Sequence, residues 1–435
     1  MKRRGLILGV CLCLCFQLAQ AQDMLTVKEA IAIALENNFD IKLFQNNLKV
    51  TQENATAGNA GMLPTVTGNF AQSNSISNSN QTQASGEVRA LDNAKNNSLN
   101  YGVSVGWTIF DGFGMFSRYE TLKNLQKQAE ADLQKSVVTK VSDVISTYYT
   151  IVEQQNLLSA LDSSIVISKE RLRTAENRFS IGKASRLEVL NVQVNLNTDE
   201  SNRIKQANIV KNLKIALNNL MARELQQDFG VLTDVSINES LLLGDLLEHA
   251  KSYNPDLALV SINRRLAELE EKTVRANRYP TVRLNGGYNF SESESSLGFV
   301  AQSKSRGLTY GVTASVNIFD GFNQRRNERV AKLRIENADL QIQQSTLFIE
   351  SEISQTYNLY KTNLALVEIE KKNEQIARQN LNITLDKYRI GTVSAVEFRD
   401  AQENFINAVS RYNSSKTQAK LSETLLMELV GKIEL

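Results

Sequence analysis

The chain has 435 residues, with 49 lysines and arginines against 47 aspartates and glutamates, one histidine, three prolines and three cysteines. So even a charge balance leaves no basic footprint for nucleic acid. The cysteines are confined to positions 11, 13 and 15, and the lone histidine, His249, has no partner ligand in the sequence, so neither a metal centre nor a cofactor is expected. Beyond residue 18 no apolar run approaches the roughly 20 residues of a transmembrane helix, so any membrane-spanning part has to be built from strands.

The chain opens with Lys2, Arg3 and Arg4, then an apolar stretch from Leu6 to Leu18, then Ala19-Gln20-Ala21. A basic start, a short apolar run and a small-x-small site read as an export leader over residues 1–21, with Gln22 beginning the mature chain. The leader carries all three cysteines, and its loss leaves 46 basic against 47 acidic residues.

A helix is expected next. Thr26-x-x-Glu29 reads as a capping box, and Val27, Ala30, Ile31, Ala34 and Leu35 share one face. The pattern falters at Asn37-Asn38, resumes, and stops before Pro64. Alternation follows: Tyr101, Val103, Val105, Trp107 and Ile109 are interleaved with Gly102, Ser104, Gly106 and Thr108, the period of a strand with unlike faces. The Ser-, Asn- and Gln-rich stretch from Ser73 to Ser98 reads as a long loop, as does Ser291 to Arg306.

From Met115 to Ser180 there is neither proline nor glycine, room for a helix of roughly 100 Å at about 1.5 Å per residue. Ile165, Leu172 and Phe179 repeat every seven residues, alongside Leu161, Ser168 and Ala175, which is a coiled-coil seam. After Gly182 a second helix returns to about Ala222.

The same series then recurs. Leu63-Pro64-Thr65-Val66 returns as Tyr279-Pro280-Thr281-Val282, 216 residues on. Tyr101-Gly102-Val103 through Ile109-Phe110-Asp111-Gly112-Phe113 returns as Tyr310-Gly311-Val312 through Ile318-Phe319-Asp320-Gly321-Phe322, 209 residues on. Arg178-Phe179-Ser180-Ile181-Gly182 returns as Lys387-Tyr388-Arg389-Ile390-Gly391 at the same 209. Two repeats are therefore expected, residues 22–225 and 226–435, each a helix, a β-hairpin and a long helical hairpin. Four strands are too few to close a barrel, and eight leave an interior filled by side chains, so an open pore needs at least about three copies.

In the order and duplication of these segments the chain resembles the outer membrane efflux proteins, the TolC-like channels, over nearly its whole mature length. Leu25-Thr26-Val27-Lys28-Glu29-Ala30, the paired prolines, both Ile-Phe-Asp-Gly-Phe segments and the paired Ile-Gly tips carry the resemblance. It implies a mainly α fold with membrane β-structure. Each protomer of a homotrimer would give four strands to a twelve-stranded barrel, continuous with a coiled-coil α-helical periplasmic barrel. It implies an outer-membrane location in contact with lipid, a periplasmic adaptor protein and an inner-membrane transporter of RND or ABC type, and a passive conduit rather than an enzyme. A trimeric coiled-coil envelope protein or adhesin without transport is the alternative reading.

The resemblance also points to a gate at the helix tips. Its acidic positions fall on Glu397 and Asp400 in the second repeat, and on Glu188 and Asn191 in the first; Tyr388 matches a tip tyrosine that hydrogen-bonds in the closed state, while Val393 replaces an arginine found in some members. Ser185-x-x-Glu188 and Ser394-x-x-Glu397 are also capping boxes, which gives both glutamates a second role and leaves Asp400 the stronger gate residue. Gly182, Lys183, Gly391 and Thr392 form the exposed tips that would meet the adaptor.

Overall fold

A computed structural model describes residues 24–296 and 300–432, and the expected leader at 1–21 lies outside them. In chain order the elements are β1 (Met24–Leu25), α1 (Val27–Asn37), α2 (Phe39–Asn54), β2 (Thr65–Thr82), β3 (Val88–Asp111), α3 (Gly114–Ser180), α4 (Arg186–Leu220), β4 (Gly230–Val231), α5 (Leu243–Tyr253), α6 (Pro255–Ala276), β5 (Thr281–Ser295), β6 (Gln302–Ser315), α7 (Asn323–Ile390) and α8 (Ala395–Val430). The chain divides into two compact units, one from Asn47–Glu130 and Leu259–Gln343, the other from the remaining described residues.

The unit of residues 47–130 and 259–343 holds a four-stranded antiparallel sheet in the order β2-β3-β5-β6. Its register sorts the side chains by chemistry. Val66 faces Val105, Phe70 faces Tyr101, Val103 faces Tyr288, Trp107 faces Leu284, and Leu284 in turn faces Val312. All lie on one face, where Tyr101 stacks on Phe290 at 4.8 Å. The other face carries Thr67, Ser104, Gly287, Asn285 and Thr313, linked by hydrogen bonds such as Thr67 to Ser104 at 2.7 Å and Asn285 to Thr313 at 3.2 Å. The apolar face is uncovered: Tyr310 is 85% exposed and Phe70 73%. A sheet that leaves large apolar side chains uncovered has been built for a non-aqueous neighbour.

Three expectations need correction here. The stretches read as loops are mostly strand. β2 and β3 pair as far as Thr82 with Val88, and β5 and β6 as far as Glu294 with Gln302. Backbone pairing needs no apolar side chain, so a hairpin arm wet on both faces loses the alternation that reveals strands. The second return strand, in contrast, is shorter than expected. β6 ends at Ser315, which already faces Thr281, the first residue of β5, so Val316 and Ile318 have no β5 residues left to pair with. The first helical stretch also ends early, at Asn54 rather than before Pro64, and residues 55–62 form turns with Gly61 at φ +81°.

The repeated Asp-Gly-Phe has a structural task. Asp111 accepts the amide of Met115 at 3.0 Å, and Asp320 accepts that of Gln324 at 2.7 Å, so each caps the long helix that follows. Gly112, Phe113, Gly321 and Phe322 all take positive φ, +64° to +70°, to turn strand into helix. The left-handed cost at each phenylalanine is set against an edge-to-face contact with the preceding one, at 5.3 Å in both copies.

The other unit holds two cores of related composition. In the first, Ala30, Ile31 and Ala34 of α1 pack with Val144, Tyr148, Leu217 and Met221. In the second, Leu246 and Ala250 of α5 pack with Ile353, Tyr360, Leu426 and Val430. Each buried leucine contributes about 2 kcal/mol. Polar contacts recur with the same offsets. Tyr148 Oη donates to Leu25 O at 2.9 Å, and Tyr357 Oη to Leu241 O at 3.2 Å. Asn38 Nδ2 donates to Leu220 O at 2.8 Å and its Oδ1 accepts from Ile41 N at 3.3 Å; Asn254 does the same with Leu429 O at 2.7 Å and Leu257 N at 3.0 Å. The faltering of the first helical pattern is thus a built corner, where one asparagine caps the next helix and ties the corner to the end of a distant one.

The two copies end their last helices on different residues. α4 and α8 both close with a bond running back five residues, Arg223 N to Asn218 O and Lys432 N to Met427 O, both at 3.1 Å. The left-handed residue is Gly431 (φ +79°) in one and Ala222 (φ +49°) in the other. Ala222→Gly should therefore stabilise the protein by about 0.5–1 kcal/mol, seen as a higher denaturation midpoint. A lower midpoint would show that the side chain's packing outweighs the backbone strain.

Candidate functional site

The tips are made by two like turns. Gly182 (φ +75°) follows α3, and Lys183 N donates to Arg178 O at 2.7 Å; Gly391 (φ +83°) follows α7, and Thr392 N donates to Lys387 O at 3.0 Å. Glycine is required here because a side chain would strain the left-handed backbone. At Gly391 a Cβ would also come within 3.0 Å of Arg178. Gly182, Lys183, Gly391 and Thr392 are all exposed.

The returning helices are capped as their sequences predict, with one difference. Ser394 Oγ accepts the amide of Glu397 at 3.2 Å, and Glu397 accepts the amide of Ser394 at 3.4 Å, which completes the box. Ser185 Oγ accepts the amide of Glu188 at 3.2 Å, but the Glu188 carboxylate faces Arg178 at 4.0 Å rather than returning to the cap. Ser394→Ala should cost about 1 kcal/mol, read as a lower thermal midpoint; an unchanged midpoint would mean that the exposed tip frays without consequence. Asp400 and Asn191 are exposed one turn further in.

Tyr388 is placed differently from a surface latch. It is buried against Phe398, with ring centres 5.4 Å apart, and the Arg178 guanidinium lies 5.8 Å from its ring. Burial raises its phenol above the ordinary tyrosine range, and Oη has no hydrogen-bond partner among the described residues.

Below the tips lies a buried polar cluster. Asp199 of α4 accepts from Ser168 at 2.6 Å and from Arg399 at 2.7 Å, while Arg399 also bonds Glu403 at 2.6 Å. Gln402 donates to Ser164 at 2.6 Å and Ser168 at 2.8 Å. Burial opposes the charge on Arg399, and Asp199 and Glu403 more than offset it. The cluster ties α8 to both α3 and α4. Its sequence signals were Ser168, a polar residue at a coiled-coil seam position, and Arg399, a cation near the tip carboxylates.

Among the described residues no group of histidine, cysteine, aspartate and glutamate could hold a metal ion, and no described helix is long and apolar enough to cross a membrane.

The sequence profile of the family described as "Outer membrane efflux protein" matches residues 30–223 and again 246–432. The chain belongs to this family. Its members are outer-membrane channels of efflux and secretion systems, conduits that serve tripartite assemblies as trimers. The protein is an outer-membrane export channel that reaches into the periplasm.

Among curated proteins it is 22% identical to the proteases secretion protein PrtF of Dickeya chrysanthemi over 94% of this chain and 88% of that one. It is 23% identical to the protein CyaE of Bordetella pertussis, over 95% and 86%. Among solved structures the Campylobacter jejuni CmeC outer membrane channel matches with a TM-score of 0.77 at 20% identity, covering 93% of this chain and 85% of that one. CusC matches at 0.75 with 16% identity, over 94% and 92%. These likenesses bear out the TolC-like, mainly α fold with its additional sheet.

Proposed function

We propose that three copies close their sheets into one twelve-stranded barrel, β2 of each protomer pairing with β6 of the next, and that the helices continue the conduit. The observation that carries this is the sheet's two open edges: β2 and β6 each pair on one side only within the chain. Open edges of 18 and 14 residues invite further pairing, and closure by copies of the same chain removes them. The apolar face then meets lipid and the Ser-, Thr- and Asn-rich face lines the pore. Native mass spectrometry of the detergent-extracted protein should give a trimer, and planar-bilayer recordings should give a channel. A trimer that never conducts would favour an envelope structural protein or adhesin instead.

On this reading the chain comprises a leader at 1–21 and two repeats, 22–225 and 226–435, and it catalyses no reaction. The exposed tips at Gly182, Lys183, Gly391 and Thr392 receive a periplasmic adaptor, which couples the channel to an inner-membrane transporter of RND or ABC type. The described residues contain no cysteine, so Lys183→Cys offers a single thiol to a bifunctional reagent. Cross-links to a periplasmic protein support the contact; cross-links to outer-membrane proteins alone sink it.

On this reading Asp400 is the chief residue of the periplasmic gate, with Glu397, Glu188, Asn191 and the buried Tyr388 as its other members. Its exposed carboxylate, repeated by threefold symmetry, would favour cations at the constriction. Asp400→Asn should weaken block by multivalent cations and raise conductance, whereas Glu397→Gln should act on tip stability by about 1 kcal/mol through the lost cap. Identical effects of the two changes on conductance would count against this division.

A further inference from the structure

Arg171 of α3 is 1% exposed, and none of its three guanidinium nitrogens has a hydrogen-bond partner among the described residues. The Phe398 ring lies 5.6 Å from its guanidinium carbon, a contact that uses the cation's face and leaves its N–H donors unmet. Arginine holds its proton under any ordinary condition, so it does not escape burial by becoming neutral. A buried cation without a partner costs several kcal/mol, and a counter-charge beside it would recover part of that cost.

Room for one is present. Arg171 lines a cavity of 570 Å³ beneath the tips together with Arg178, Arg399, Glu188, Asn191 and Ala395. Arg399 is held by Asp199 and Glu403, which leaves Arg171 and Arg178 beside the single carboxylate of Glu188. Glu188 stands 4.0 Å from Arg178, too far for a hydrogen bond, and Asp199 is already held by Arg399 and Ser168. The first turn of α8 opens on the same cavity through Ala395 and Val396, whose amides belong to the helix end that lacks intrahelical acceptors.

We propose that this cavity binds a small oxyanion, a phosphate or a carboxylate, with Arg171 as its buried anchor and Arg178 at the mouth. The site goes beyond the gate reading and stands on the single chain, so it does not depend on how the tips open. The anion completes the charge balance beneath the tips and joins α3, α4 and α8 through one ligand.

The test uses the assembled protein in detergent, dialysed free of polyvalent anions, with inorganic phosphate and succinate titrated in separate arms against sodium chloride of equal ionic strength. Calorimetry and thermal melting are the readouts. Saturable binding is expected, with the melting temperature rising as the ligand fills the site. Arg171→Met should bind at least about tenfold more weakly. It should also melt no lower than the wild type in anion-free buffer, because it removes a buried charge without a partner. Saturation by phosphate alone assigns the site to free phosphate, and saturation by succinate alone to a carboxylate. No saturation with either ligand, or equal binding by Arg171→Met, overturns the proposal. Should Arg171→Met fail to assemble, Arg178→Gln serves in its place, and undiminished binding by that variant likewise overturns it.

Discussion

Arginine in place of Val103 is expected to remove most of the assembled channel from the outer membrane, while arginine in place of Ser104 leaves assembly near the wild-type level. The two residues are neighbours on β3, at the same depth, and differ in the face they occupy. Val103 lies with Gly68 and Tyr288 on the apolar face, between the aromatic residues Tyr101 and Trp107. An arginine at mid-depth on the lipid side of a barrel costs about 2–4 kcal/mol, and trimeric closure would impose it three times. Ser104 sits on the polar face and loses only exposed hydrogen bonds to Thr67 and Asn69. There an arginine enters the pore, where it should lower cation permeability rather than stability. Fractionation of membranes with native electrophoresis measures the first effect and single-channel recording the second. Equal loss of trimer from both variants would mean that the sheet has no lipid side.

The contrast between Val103 and Ser104 was legible before any coordinates because a strand between two unlike media must alternate, and β3 does so from Tyr101 to Ile109. The long helices were legible for a related reason: with no glycine or proline from Met115 to Ser180, nothing in the chain stops them. Legibility failed where the environment became uniform. The arms of the hairpins beyond Ser73 are polar on both sides, so only backbone pairing, which leaves no trace in the side chains, distinguishes them from loop. The end of β6 is likewise set by where β5 begins, a fact about a partner strand and not about Val316 itself. Local devices such as the Ser394–Glu397 box could be read from spacing alone, because both partners lie within one turn. Arg171 could not, since a mid-helix arginine in an amphipathic sequence reads as surface until the residues that cover it, Phe398 among them, are placed around it.

The largest loss expected from a single change away from the membrane is at Asp199. It accepts from Ser168 and Arg399, which lie 31 and 200 residues away in the chain, so no local pattern announces it. Asp199→Ala leaves Arg399, itself largely buried, facing Ser168 and Gln402 with only Glu403 for company. Breaking one side of a buried pair costs about 3–5 kcal/mol, because the remaining charge keeps its desolvation penalty and loses its counter-charge. The thermal midpoint of Asp199→Ala should fall well below that of Ser394→Ala, where a cap alone is lost. The double variant Asp199→Ala/Arg399→Met separates the pair from its charge penalty: with both charges gone, most of the loss should be recovered. Recovery would mean that the cluster sets which helices meet below the tips more than how tightly they hold. Losses that simply add would instead assign the stability to the separate packing of each side chain, and the polar cluster would then have no joint role in positioning α8 against α3 and α4.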